Sequence, residues 1–195
     1  MGLKLESPIS IARGILNDRD PTYRYDDADL LQYANDALDA ALSLKPSLFY
    51  TEGELQCEVG KALQSVSFDD ARSLVQVTKI KGGGAVTLTD RPTLEAFLPS
   101  WMTATAAAAE HWLPVLDDPV RFFIYPPAPV AQVLEIIYVR IPGEYVATDD
   151  TGLPTTSSEA IADYIIGRAE SRDDEHVNST RAVQFIASFE AKIKA

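Results

Sequence analysis

The sequence predicts an α+β fold in which the two ends of the chain form one small helical bundle and a β-rich lobe is inserted between them. Three observations lead there. Apolar residues recur at helical spacing near both termini, the period changes to alternation in the middle, and proline or glycine punctuates each change. The boundaries read as 1–48 for the N-terminal helices of the bundle, 49–152 for the lobe and 153–195 for a C-terminal helical hairpin of the same bundle.

Ser7-Pro8 reads as an N-cap followed by proline at the first helical position, and Ile9, Ala12, Ile15 and Leu16 then carry a short helix to about Asn17. After a polar break, Asp26 or Asp27 caps a second helix. Its stripe is Leu30, Leu31, Ala34, Leu38, Ala41 and Leu42, its opposite face Asp29, Gln32, Asp36 and Asp39, and Pro46 ends it. Segments 49–59 and 66–68 are short and mixed. Residues 74–80 alternate apolar and polar with β-branched side chains, and Gly82-Gly83-Gly84 permits a turn before 85–89, predicting a strand pair. Segments 120–125 and 133–141 read as strands stopped by Pro126-Pro127 and Pro142-Gly143. Thr156 with Glu159 fits a capping box opening a helix with Ile161, Tyr164, Ile165 and Ala169 on one side. A polar run then precedes a last helix striped by Ala182, Phe185, Ile186, Phe189 and Ile193. There is no internal repeat, and the one low-complexity tract is the alanine run 106–109.

Composition excludes several classes. The 195 residues carry 29 acidic and 17 basic side chains, a formal charge of −12, which argues against a basic nucleic-acid reader. At 46% apolar and 24% charged the chain is of ordinary globular make-up. A single cysteine, Cys57, allows no intramolecular disulfide or zinc cluster and points to a reducing compartment. The N-terminus has no apolar run with a small-residue cleavage site, and Ser7 misses the myristoylation spacing from Gly2, so neither secretion by that signal nor membrane insertion is expected.

The motifs that carry chemistry are mostly missing. There are two histidines, His111 and His176, no Gly-x-Ser-x-Gly elbow, and no recognisable partner for Cys57, which reads as a small half-buried apolar residue. Gly53 and Gly60-Lys61 are spaced too widely for a phosphate loop, with Ala62 where a magnesium-binding hydroxyl belongs. Asp173, Asp174, Glu175 and His176 lack the spacing of a zinc helix; Asp18, Asp20, Asp26, Asp27 and Asp29 lack the glycine and glutamate of a calcium loop. Both clusters read as solvated connectors. Asn178-Ser179-Thr180 matches a glycosylation acceptor without a signal peptide to give it meaning. Trp101, Trp112, Tyr125 and Tyr138 sit beside apolar residues and read first as core or interface. No catalytic, cofactor or metal site is expected.

One resemblance extends along most of the chain. It runs through Pro99-Ser-Trp101, then Asp118-Pro-Val-Arg-Phe-Phe-Ile-Tyr-Pro-Pro127, then Leu134-Glu-Ile-Ile-Tyr-Val-Arg-Ile-Pro142 and Leu153-Pro154. It continues through Tyr164-Ile-Ile-Gly-Arg-Ala169, Asp173, Asn178, Arg181-Ala182 and Phe189. This resembles the head-to-tail adaptor (connector or neck) proteins of tailed, especially short-tailed, bacteriophages. Where such relatives usually carry an aromatic or leucine in the first C-terminal helix, this chain has Gly167.

The resemblance implies a structural virion protein that binds the portal protein, assembles as a ring of about twelve copies, extends the DNA channel and docks tail or nozzle proteins. By position, Phe185, Phe189, Lys192, Ile193 and Lys194 are the expected portal or subunit contacts, although the spacing of Phe185 and Phe189 favours a place in the bundle core. Acidic residues facing a lumen would let DNA pass without holding it. Two other readings stay open: a cytosolic enzyme or small-molecule-binding protein with a pocket between bundle and lobe, and another phage neck or tail-completion protein.

Overall fold

The computed structural model describes residues 2–18, 23–105, 108–172 and 179–195. Asp20, the start of the alanine tract, the run Asp173, Asp174, Glu175 and His176, and Asn178 lie outside the described residues. In chain order the elements are α1 (Glu6–Leu16), α2 (Asp27–Leu44), β1 (Tyr50–Gln56), β2 (Leu63–Ser65), β3 (Ala71–Ile80), β4 (Thr87–Leu88), α3 (Arg91–Phe97), β5 (His111–Val115), β6 (Asp118–Tyr125), β7 (Val133–Arg140), α4 (Ser158–Glu170) and α5 (Ser179–Lys194). The class is α+β, as the periodicity predicts. Two compact units result: Met1–Phe49 with Pro142–Ala195, and Tyr50–Ile141.

In the terminal unit, α4 is the central element. Ten of its 13 residues are buried, among them Ala160, Ile161, Ala162, Ile165, Ile166, Gly167 and Ala169, and it packs against α1, α2 and α5. A helix enclosed on that many sides must be narrow, which is why alanine and glycine interleave with its isoleucines. A Cβ on Gly167 would lie 2.7 Å from Ile186 Cδ1 and 3.3 Å from the carbonyl oxygen of Ala182, so this position lets α5 approach closely. The stripe predicted for α2 is buried at Leu30, Ala34, Leu38, Ala41 and Leu42, with Ala37 added and Leu31 only half-buried.

None of the three predicted caps makes a side-chain bond to its helix: Asp26 holds the N-cap position of α2 without one, and the other two are displaced. Helix α1 starts one residue before Ser7, at Glu6, and the Ser7 hydroxyl instead shares a 2.9 Å hydrogen bond with Ser158 of α4. Pro8 still falls in the first turn, where its missing N–H leaves no gap in the helix ladder. At α4 a 3-10 turn over Thr155–Ser157 precedes the helix, Ser157 takes the N-cap position without a side-chain bond, and Thr156 lies inside that turn. At the other end of α4 the Tyr25 hydroxyl donates to the carbonyl of Ala169 at 3.1 Å, satisfying one of the acceptors that a helix C-terminus leaves open.

Segment 142–152, placed in the lobe by the sequence reading, packs with the terminal unit. Backbone hydrogen bonds do this work: Leu3 N–H donates to Leu153 (2.8 Å), Thr151 N–H to Leu3 (2.9 Å) and Glu6 N–H to Ala147 (2.8 Å). The Asn35 amide grips Tyr145 from both sides, donating to its carbonyl at 3.1 Å and accepting from its N–H at 3.0 Å. Asp150 accepts from Gly2 N–H (2.8 Å) and Gly152 N–H (2.9 Å). Those donors hold its carboxyl below the usual carboxylate range, the Gly152 bond contributing most.

The inserted unit is two sheets, ordered β1-β7-β3 and β2-β6-β5-β4. Leu55, Val77, Leu134, Ile136 and Tyr138 from the first and Trp112, Phe122 and Ile124 from the second form one buried cluster, so the sheets face each other across it. A satellite cluster of Ala62, Leu94, Trp101 and Leu113 lies under α3. The predicted pairing of segments 74–80 and 85–89 is reduced to a bridge between Lys79 and Ala85 and the bond from Val86 N–H to Thr78 (3.1 Å). Beyond it β3 pairs with β7, and β4 leaves to lie parallel to β5 in the other sheet. The glycine turn itself is present, with Gly82 at φ +71°.

Two outcomes follow. Gly167→Leu overpacks the α4–α5 contact and lowers stability by about 1–3 kcal/mol in urea unfolding; adding Ile186→Ala recovers part of the loss, whereas equal melting of Gly167→Leu and the native chain would remove the close-approach role. For Asp150 the native pKa lies below the unfolded one, so its contribution is complete above the ordinary carboxylate value of about 4 and is lost as pH falls through the native value. Asp150→Asn therefore flattens the acid limb of the stability–pH curve and leaves its neutral shape unchanged.

Candidate contact surface on the C-terminal helix

The expected contact residues all lie on α5, and the structure separates them. Phe189 and Ile193 are 2% and 3% exposed: they are core. Phe189 meets the Tyr164 ring of α4 edge-on, with centroids 5.0 Å apart. Phe185 is half-buried, its ring under the Arg181 guanidinium at 5.5 Å. Lys192 and Lys194 stay accessible, and with Phe185 they form the part of the predicted set that a partner can reach.

Those lysines are not free charges. Lys192 Nζ sits 2.8 Å from Asp163 and 3.7 Å from Glu159, both on α4, and the Ser188 hydroxyl donates to the same Asp163 carboxylate at 2.7 Å. Lys194 pairs with Glu190 at 3.2 Å. Nearer the start of α5, Arg181 reaches Glu170 at 3.0 Å and donates to the Ile15 carbonyl at 3.3 Å. Asp163 and Glu170 are both buried, so α5 is clamped to α4 by one enclosed carboxylate toward each end, each partnered by a base on α5. Between the clamps a groove of about 500 Å³ runs along the pair, lined by Tyr164, Gly167, Ala182 and Ile186, with Val183 69% exposed at its rim.

Sequence reasoning missed a second accessible surface, in the inserted unit. Leu116 at the β5–β6 turn, 89% exposed, and Leu88 of β4 line a groove shared with Pro92, Leu113 and Pro114, and Phe97 at the end of α3 is 80% exposed. The signals were present: a lone leucine before Asp117-Asp118 in a turn, and Asp90 followed by Pro92, a helix start. Asp90 caps α3 by accepting from Thr93 N–H at 2.8 Å, and hydrogen bonding from the Thr93 side chain above all, with that backbone bond second, holds its carboxyl low.

The residues weighed for chemistry are built into structure. Cys57 is buried in the inter-sheet core, where desolvation pushes its thiol up to about 11. The His111 ring stacks on Tyr125 at 6.1 Å with Nδ1 2.6 Å from the Thr87 hydroxyl. Gly53 lies within β1 and Gly60 in a turn at φ +73°, with β2 rather than a helix following. Among the described residues no three His, Cys, Asp or Glu side chains are placed to share a metal ion, and no helix is long and apolar enough to cross a membrane.

Compared with known proteins, the chain matches along residues 9–195 the family described as SU10 adaptor protein. It belongs to the SU10 adaptor protein family. The resemblance to phage head-to-tail adaptors that the residues carry is thereby borne out, and the family is one of structural adaptors. No curated protein matches the chain. Among solved structures it is similar to a chain from the neck of an empty GTA particle computed with C6 symmetry, at 17% identity and TM-score 0.31, covering 91% of this chain and 86% of that one.

If the two carboxylate clamps hold α5, the coupling between Asp163→Ala and Lys192→Ala in a double-mutant cycle is about 1–2 kcal/mol. Additive losses, read by urea unfolding at neutral pH, would remove the Lys192–Asp163 pair from what attaches α5.

Proposed function

We propose that the protein is a structural component of the virion neck, made in the host bacterial cytoplasm, which binds the portal protein, extends the DNA channel and offers tail or nozzle proteins a docking platform. The observation that carries this reading is membership of the adaptor family over residues 9–195, nearly the whole chain. Copies assemble as a closed ring of about twelve, and the protein catalyses no reaction. Phe185, Lys192 and Lys194 are its portal-facing or subunit-facing contacts, because they are the accessible members of the α5 set.

The charge distribution supports the same reading. The terminal unit holds 18 acidic against 10 basic residues and the inserted unit 11 against 7, so both carry a net negative charge that repels phosphates. DNA passes such a surface without specific binding.

Electron microscopy of the purified chain mixed with its portal protein tests the proposal. A ring-shaped complex is expected, and Lys194→Glu, which breaks only an exposed pair, weakens it while leaving the monomer folded. No ring under any salt or concentration would overturn it.

A further inference from the structure

The β1 strand is an open edge. It pairs with β7 in an unbroken register from Tyr50↔Val139 to Gln56↔Val133. The bond from Cys57 N–H to Gln132 fixes which residues of β1 face β7: Thr51, Gly53 and Leu55 do. The backbone N–H and C=O of Tyr50, Glu52, Glu54 and Gln56 therefore point away from the sheet, and none has a partner among the described residues. The other edges differ. Strand β3 is broken by three register shifts, and its Thr78 carbonyl is taken by Val86; β2 and β4 are three and two residues long. Bulges and shortness are the usual protection of sheet edges, and β1 has neither.

We propose that β1 is a docking edge for an extended segment of a partner protein that carries lysine or arginine at alternate positions with apolar residues between them. Charge decides the occupant. Side chains opposite each other on neighbouring strands share a face, so an added strand sets every second residue beside Tyr50, Glu52, Glu54 and Gln56. The strand sequence Tyr-Thr-Glu-Gly-Glu-Leu-Gln holds two acids and no base. Glu54 pairs with Lys81 at 2.6 Å with both side chains about half exposed, a surface pair that an incoming cation displaces at little cost. On the opposite face the added strand meets Leu55 and the half-buried Phe68, which favours apolar residues there. A second copy of β1 is disfavoured, because antiparallel pairing about Gly53 sets Glu52 against Glu54 in both directions.

The probe is a synthetic peptide, Thr-Lys-Val-Lys-Val-Lys-Thr, added to the full chain, with backbone amide exchange and fluorescence anisotropy as readouts. The amides of Glu52, Glu54 and Gln56 are expected to gain protection, and the same peptide with glutamate for lysine to bind at least about tenfold more weakly. The double variant E52K/E54K reverses that preference. Glu54→Pro removes an outward N–H without breaking the β1–β7 ladder and abolishes protection, with circular dichroism unchanged. Protection elsewhere on the chain, no protection at saturating peptide, or equal binding of the two peptides would overturn the proposal. None of these readouts depends on ring formation, so the adaptor reading and this edge stand or fall separately.

Discussion

The terminal unit depends on α4 being enclosed. A helix that meets α1, α2 and α5 has almost no face left for solvent, and the consequences follow from volume. Its residues must be small where neighbours come close, hence Ala160, Ala162, Gly167 and Ala169, and large only where a gap remains, hence Ile161, Ile165 and Ile166. Each of those isoleucines contributes about 1.5–3 kcal/mol by burial. Enclosure also makes polar groups on α4 expensive unless answered, and they are answered: Ser158 by Ser7, Asp163 by Ser188 and Lys192, Glu170 by Arg181, the Ala169 carbonyl by Tyr25. The composition of the surrounding elements is thus set from the middle outward.

The inserted unit is organised differently, around β7. That strand is paired on both sides and buries Leu134, Ile136 and Tyr138, so its run of apolar and β-branched residues reads as a strand without ambiguity. Strands that lean on it need less. Strand β1 buries only Leu55 fully and has a polar outer face, and β3 accommodates its mismatch with β7 through bulges. One well-specified strand lets weakly specified neighbours find their register.

This asymmetry explains what the sequence revealed. Helices α2 and α5 and strands β6 and β7 were legible because a repeated apolar spacing or a proline stop marks them. Strands β1, β2 and β5 were not, since Tyr50–Gln56 has a single buried apolar side chain and His111–Val115 carries Pro114 at a register shift. The caps failed for another reason: Ser7 and Thr156 fit the right local patterns, but a hydroxyl within reach of another helix, or a turn placed by Pro154, overrode the local preference. Segment 142–152 could not be assigned from pattern at all, because backbone hydrogen bonds and the Asn35 amide attach it, and neither leaves periodicity in a sequence. The apolar residues of α5 were legible as a stripe. Their division into core and surface was not, because it depends on which way α4 lies.

The acidic excess reads differently once burial is known. Asp18, Asp163 and Glu170 are buried and each faces a base, Arg13, Lys192 and Arg181, so three cations of the terminal unit already hold an enclosed carboxylate. Lys192 and Arg181 stay partly exposed, but the carboxylate beside each cancels part of its outward field. A polyanion approaching within a Debye length, about 8 Å at physiological salt, meets those bases as pairs rather than as free cations. The Lys192 and Arg181 pairs fix α5 on α4 and also neutralise cations that would otherwise have offered phosphates a hold.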